Sequence, residues 1–115
     1  MPDRTDHAQL DAVFHALSDA RRRDMIARLA RDSMSVKELA EPLGMGLPSA
    51  VKHLALLESG GLVVSQKVGR VRTYSLKPIA FNRIRRWIEQ RETELSAAFD
   101  RLDKAIADFP EDLNE

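Results

Sequence analysis

Apolar residues recur at helical spacing in several stretches of the chain and alternate with polar ones in one. Leu10, Val13, Phe14 and Leu17 fall at i, i+3, i+4 and i+7, which predicts an amphipathic helix over about residues 7–17, capped by Asp6. Met25, Ile26 and Leu29 predict a second helix over about residues 19–31, capped by Ser18 or Asp19, with Arg21, Arg22, Arg28 and Arg31 outward. Ser35-Val36-Lys37-Glu38 reads as a capping box, the serine accepting from a first-turn amide and the glutamate reaching back. Pro42 and Gly44 soon end the helix it opens. Pro48 suits the first turn of a further helix, which Gly60-Gly61 stops. The β-branched run from Leu62 to Val68, the turn Gly69-Arg70 and the return from Val71 to Leu76 predict a hairpin. A long helix over 79–109 follows.

The predicted fold is therefore mainly α, with five helices and one β-hairpin wing. Two short helices joined by a glycine-containing turn and followed by a hairpin make a winged helix-turn-helix. No linker or repeat interrupts the 115 residues, so one domain is expected over 1–115. Within it the helix-turn-helix spans 35–59, the wing 62–77 and a dimerisation helix 79–109.

The helix ending at Ser59 divides into two faces. Leu47, Ala50, Leu54 and Leu57 form one stripe, expected to be buried. The opposite side presents Pro48, Ser49, Lys52 and His53, short hydrogen-bonding groups and a cation near a helix amino end. Such a surface suits the major groove of DNA, with donors for base edges and a helix terminus for phosphate. At the hairpin tip Lys67, Arg70 and Arg72 suit phosphate or minor-groove contact, Arg70 and Arg72 sharing one strand face by parity. Their charge also protects an edge strand from aggregation, and both uses are compatible. In the last helix Phe81, Ile88, Leu95, Leu102 and Phe109 repeat every seven residues, with Ile84, Arg91, Ala98 and Ala105 in the intervening seam. A helix of this span is about 45 Å long, more than so small a domain needs for its own core, and predicts a homodimer.

Composition narrows the partners. The chain is 43% hydrophobic and 31% charged, a globular balance with no apolar run long enough for a membrane span. The polar start is unlike a signal peptide, so a cytoplasmic location is expected. Net charge is zero, yet residues 42–88 carry eight basic side chains and only Glu58 as an acid, while residues 89–115 carry a net of −6. A basic middle favours a polyanion such as double-stranded DNA over the competing use of the hairpin, docking to another protein. The absence of cysteine excludes disulfides, thiolate metal sites and cysteine nucleophiles. No phosphate loop and no nucleophile constellation is present, so no catalytic residue and no cofactor is expected. His7, Asp11 and His15 share a helix face, but two turns separate the histidines by about 12 Å, too far to hold one metal ion.

The run Asp11 to Arg23 (DAVFHALSDARRR), with Glu38-Leu39-Ala40-Glu41, Gly44-Met45, Leu47-Pro48, Lys52-His53-Leu54 and Gly61-Leu62-Val63, resembles the ArsR-type winged-helix transcription factors over about residues 10–77. The resemblance implies a homodimeric, sequence-specific DNA-binding regulator that represses from an inverted-repeat operator. It also implies a dimer interface built by the first and last helices, here Leu10, Phe14, Ile88, Leu95, Leu102 and Phe109. Two departures stand out. Gly46 replaces the usual serine, and Ser49-Ala50-Val51 replaces an alanine-valine-serine order, so base preference does not transfer. Ser35 and Lys37 stand where metal-sensing members carry a cysteine pair, and the last helix lacks histidine, which places the chain nearest the metal-independent branch. These motifs specify neither the existence nor the identity of a small-molecule inducer.

Overall fold

The computed structural model describes residues 4–108, with side chains placed from residue 6 onward. Two compact units result, one reaching to Ile84 and one beginning at Arg85. The first contains α1 (Arg4–Ala16), α2 (Ala20–Leu29), β1 (Met34–Ser35), α3 (Val36–Ala40), α4 (Leu47–Ser59), β2 (Val63–Val68), β3 (Val71–Leu76) and the opening turns of α5 (Pro78–Asp108). A single 3-10 turn, Glu41–Leu43, joins α3 to the α4 approach. The five predicted helices and the hairpin are all present.

The boundaries follow local chemistry. Asp6 lies inside the first turn of α1 rather than capping it, because the helix starts two residues earlier. There its charge still complements the helix dipole. Of the two candidate caps for α2, Asp19 serves: its Oδ1 accepts from the amides of Arg21 at 2.8 Å and Arg22 at 3.2 Å. The Arg22 amide, above all, holds the Asp19 carboxyl below its ordinary range. The cap's contribution is therefore present at and above the usual carboxylate pKa and is lost as pH falls through the lowered value. The capping box at α3 is complete. Glu38 N donates to Ser35 Oγ at 3.2 Å and Ser35 N to Glu38 Oε1 at 3.0 Å.

The hairpin is part of a three-stranded antiparallel sheet in the order β1-β3-β2. Met34 and Ser35 pair with Tyr74 and Thr73, a strand too short to leave an alternating pattern in the sequence. Across the wing Val63 pairs with Leu76, and Lys67 with Arg72. Gly69, at φ 63, takes the left-handed conformation that a two-residue hairpin loop needs at its first position. Arg70 therefore sits in the loop, not on the strand face expected to hold it with Arg72.

Side chains from every element of the first unit meet in one core. Val13, Met25, Leu39, Leu54, Leu57 and Leu62 are all but inaccessible, and Ala80, Phe81 and Ile84 of α5 pack against the same cluster. Each large side chain so buried contributes about 1.5–3 kcal/mol. The stripe on α4 differs from expectation at one end. Ala50, Leu54 and Leu57 are fully buried, but Leu47 is 50% exposed. It is the first residue of α4, and a helical side chain leans toward the amino end, so Leu47 overhangs the preceding turn instead of the core.

The second unit is the remainder of α5. Its apolar residues lie on one side chain stripe with nothing from that unit over it: Ile88, Leu95, Phe99 and Leu102 are 43–59% exposed.

Candidate nucleic-acid interface

α4 exposes one face by anchoring the opposite one. With Ala50, Leu54 and Leu57 sealed in the core, Pro48, Val51, Lys52 and Ala55 are exposed, and Ser49 and His53 are half-buried at the margin. Gly46 occupies the N-cap position without a side-chain hydrogen bond, so the first-turn amides keep no side-chain partner from that residue. A helix terminus with free donors and a positive dipole end favours an anion. The structure thus places Pro48, Ser49 and Lys52 together at the amino end of one exposed helix. Leu47 and Val51, each about half exposed, join them as surface residues that pattern reading had assigned to the core or passed over.

His53 has a different setting from the one expected. Arg22, read from the sequence as an outward arginine, is only 6% exposed. Its Nε donates to Ala16 O at 2.6 Å and its Nη2 to His15 O at 3.2 Å, and its Nη1 donates to His53 Nδ1 at 3.3 Å. Arg23 Nη1 donates to Leu17 O at 2.7 Å. Ala16 O, the last carbonyl of α1, and Leu17 O just beyond it accept from these arginines, while His15 O also accepts from the Ser18 amide and hydroxyl. The signal available in the sequence is the run Arg21-Arg22-Arg23 in the first turn of α2, close behind the end of α1.

The wing gathers the remaining basic residues. Lys67 and Arg72 stand directly opposite one another, hence on the same face, and Arg72 Nη1 donates to Ser65 Oγ at 2.9 Å. Like charges in register across two strands repel. Neither cation forms a salt bridge among the described residues, where the ion pairs are Lys37 with Glu41 and Arg91 with Glu94. Such a pair is relieved when an anion arrives between them. Tyr74, behind them on β3, has its phenol pushed up in pKa by burial and by the Glu58 carboxylate.

The residues expected at a dimer interface fall in separate places. Leu10 is half-buried and Phe14 39% exposed on α1. In the second unit Trp87, Ile88, Arg91, Leu95 and Ala98 line a shallow, mostly apolar groove on α5. The Arg91 guanidinium lies 5.3 Å from the centroid of the Trp87 ring, a cation–π contact. Phe109 lies outside the described residues.

Known proteins share this arrangement. A family described as a helix-turn-helix domain matches residues 17–66. The HTH-type transcriptional regulator Rv2034 of Mycobacterium tuberculosis is 30% identical, over 80% of this chain and 86% of its own length. Among solved structures, an ArsR-like transcriptional regulator from Rhodococcus sp. RHA1 superposes with a TM-score of 0.75 at 32% identity, covering 88% of this chain and 95% of that one. A homodimeric winged helix-turn-helix DNA-binding domain from Mycobacterium bovis gives 0.64 at 28% identity, over 81% and 90% of the two chains. With α4 and the wing formed as described, the chain belongs to the ArsR family of winged helix-turn-helix transcriptional regulators, DNA-binding proteins and not enzymes.

Proposed function

We propose that the protein is a cytoplasmic, homodimeric repressor that binds an inverted-repeat operator and responds to no metal ion. The observation that carries the reading is the pairing of an exposed, donor-rich α4 amino end with the unneutralised cations Lys67 and Arg72 on the wing. Pro48, Ser49 and Lys52 are the contacts assigned to α4, with Leu47 and Val51 beside them as apolar surface suited to thymine methyl groups. Lys67, Arg70 and Arg72 are the wing contacts. One helix reads only a few base pairs, so two copies about 34 Å apart are needed for a useful site, and a two-fold dimer gives an inverted repeat. Selection from a random duplex library should return such a repeat. Recovery of a single unrepeated half-site would contradict the dimeric reading.

Wing electrostatics supply a quantitative test. Replacing Arg70 and Arg72 by alanine should weaken specific and unspecific DNA binding alike. The slope of log affinity against log salt should fall by about one unit per lost phosphate contact. An unchanged slope in the double variant would remove the wing from the interface.

The metal-insensitive part of the proposal rests on the two positions, Ser35 and Lys37, that metal-sensing members fill with cysteine. Ser35 is occupied as the cap of α3, and Lys37 Nζ lies 3.8 Å from Glu41 Oε1, so neither side chain is disposed as a ligand. The described residues contain no cluster of three potential ligands from histidine, cysteine and carboxylates. Zinc, nickel, cadmium or arsenite should leave the affinity for the selected duplex unchanged. Metal-induced release that a chelator reverses would overturn this part of the proposal.

A further inference from the structure

His53 stands on the reading helix, yet its Nδ1 faces inward to a buried arginine 31 residues earlier in the chain. That contact has a chemical consequence. A guanidinium carries only donors, so at 3.3 Å the ring nitrogen facing it must offer a lone pair. Nδ1 is then unprotonated, and the imidazole's single proton resides on Nε2. Arg22 has no freedom to give way, since Ala16 O and His15 O fix two other positions of its guanidinium and the side chain is 94% buried.

Two charges face the ring from outside α4, the Arg22 guanidinium and the Asp19 carboxylate. On α2, Asp19 is held as a carboxylate by the Arg21 and Arg22 amides, and its Oδ1 is engaged there rather than with the imidazole. On α4 itself, Lys52 is exposed one residue away and is a donor only. Among the described residues no hydrogen bond reaches Nε2.

We propose that Arg22 is a positioning residue that locks His53 into the Nε2–H tautomer and so makes it an obligate hydrogen-bond donor toward DNA. The partner is an acceptor atom of the duplex, a phosphate oxygen or a purine N7 or guanine O6 in the major groove. The inference deepens the proposed function and rests on α4 being the reading helix. It assigns His53 a fixed polarity, set from outside the helix that carries it. A neutral histidine without Arg22 would divide its proton between the two nitrogens and present a donor only part of the time.

The first test is spectroscopic and uses the full chain without DNA. Two-bond correlations in histidine 15N-labelled protein at neutral pH should show His53 with a bare Nδ1 and a protonated Nε2, and the preference should weaken toward that of a free imidazole in Arg22→Met. An Nδ1–H tautomer or an imidazolium in the wild-type chain would overturn the proposal, whether or not the variant folds. The second test is a double-mutant cycle on the selected duplex. Arg22→Met should weaken binding about fourfold in the wild-type background, about a factor of two at each half-site from a proton shared between two nitrogens. In a His53→Gln background, whose amide donates without needing a tautomer, Arg22→Met should cost little more. Equal losses in both backgrounds would mean that Arg22 only supports the fold. Duplexes carrying 7-deazaguanine or a methylphosphonate then distinguish a base acceptor from a phosphate. Should Lys52→Ala leave DNA binding intact while the tautomer signature stands, the reading of α4 fails and the Arg22–His53 coupling survives.

Discussion

Replacing Leu95 and Leu102 together by aspartate is expected to yield a monomer that has lost tight operator binding. In the single chain these side chains are 53% and 54% exposed, amid Ile88, Phe99 and Ile106 at 43%, 59% and 40%. A stripe of that kind along one helix marks an interaction surface. Each leucine buried in a second copy contributes about 1.5–3 kcal/mol, and an ionised aspartate in the same seam costs several more. Two changes per chain act twice in a symmetric dimer. The core of the first unit contains neither residue, so the variant should stay folded, with a melting temperature that no longer depends on protein concentration. Sedimentation would show the change of mass, and footprinting would show loss of protection at both half-sites. A variant that remains dimeric and protects both would place the interface elsewhere.

A stability loss is expected from Gly60→Ala, against the usual sign for such a change. Gly60 follows α4 with φ −78, a conformation that alanine adopts without strain. The reduced freedom of the unfolded chain would then stabilise by about 0.4–1 kcal/mol. A Cβ at Gly60, however, would lie 2.9 Å from Ala16 Cβ and 3.0 Å from the Ala12 carbonyl oxygen of α1. The obstruction includes backbone, which cannot swing aside as a flexible side chain would. Overpacking of this kind costs about 1–3 kcal/mol and outweighs the entropic gain. The melting temperature should fall by several degrees, since about 4 °C accompanies each kcal/mol in a domain of this size. A rise instead would show that α1 and α4 are free to separate at this point.

Where a local rule governs an element, the sequence displays it. The capping box at Ser35 and Glu38, the hairpin with its glycine turn, and the helix order were all legible, and with them the winged fold. Asp19 was one of two candidates for its cap and proved to be the residue used. Harder to read were features set by partners distant in sequence. Arg22 is buried because carbonyls six and seven residues back and an imidazole 31 residues on converge around it. Periodicity reports which side of α2 a residue occupies, not whether a polar interior awaits it. Leu47 misled for the opposite reason, since a stripe drawn by spacing alone treats the first residue of a helix like its middle. β1 has two residues, and no pattern exists in two. The contacts proposed on α4 were chosen by their chemistry; the inward turn of His53 required the fold.

The short reach of β1 governs how the wing meets a duplex. It pairs only with Thr73 and Tyr74, so beyond Thr73 the sheet narrows to two strands closing at Val68 and Val71. A two-stranded ribbon in water is marginal by itself, and amide exchange is expected to quicken from Tyr74 outward to Gly69. Lys67, Arg70 and Arg72 are therefore carried on the part of the wing with the fewest strand partners, which under the proposed function would let it take several orientations on contact. In that reading the groove would select among them, and the entropy surrendered in the selection would be deducted from the attraction of the three charges. Operators with differing groove widths in their flanks can be accommodated by one such arm, so tolerance of flanking sequence follows from the length of a two-residue strand.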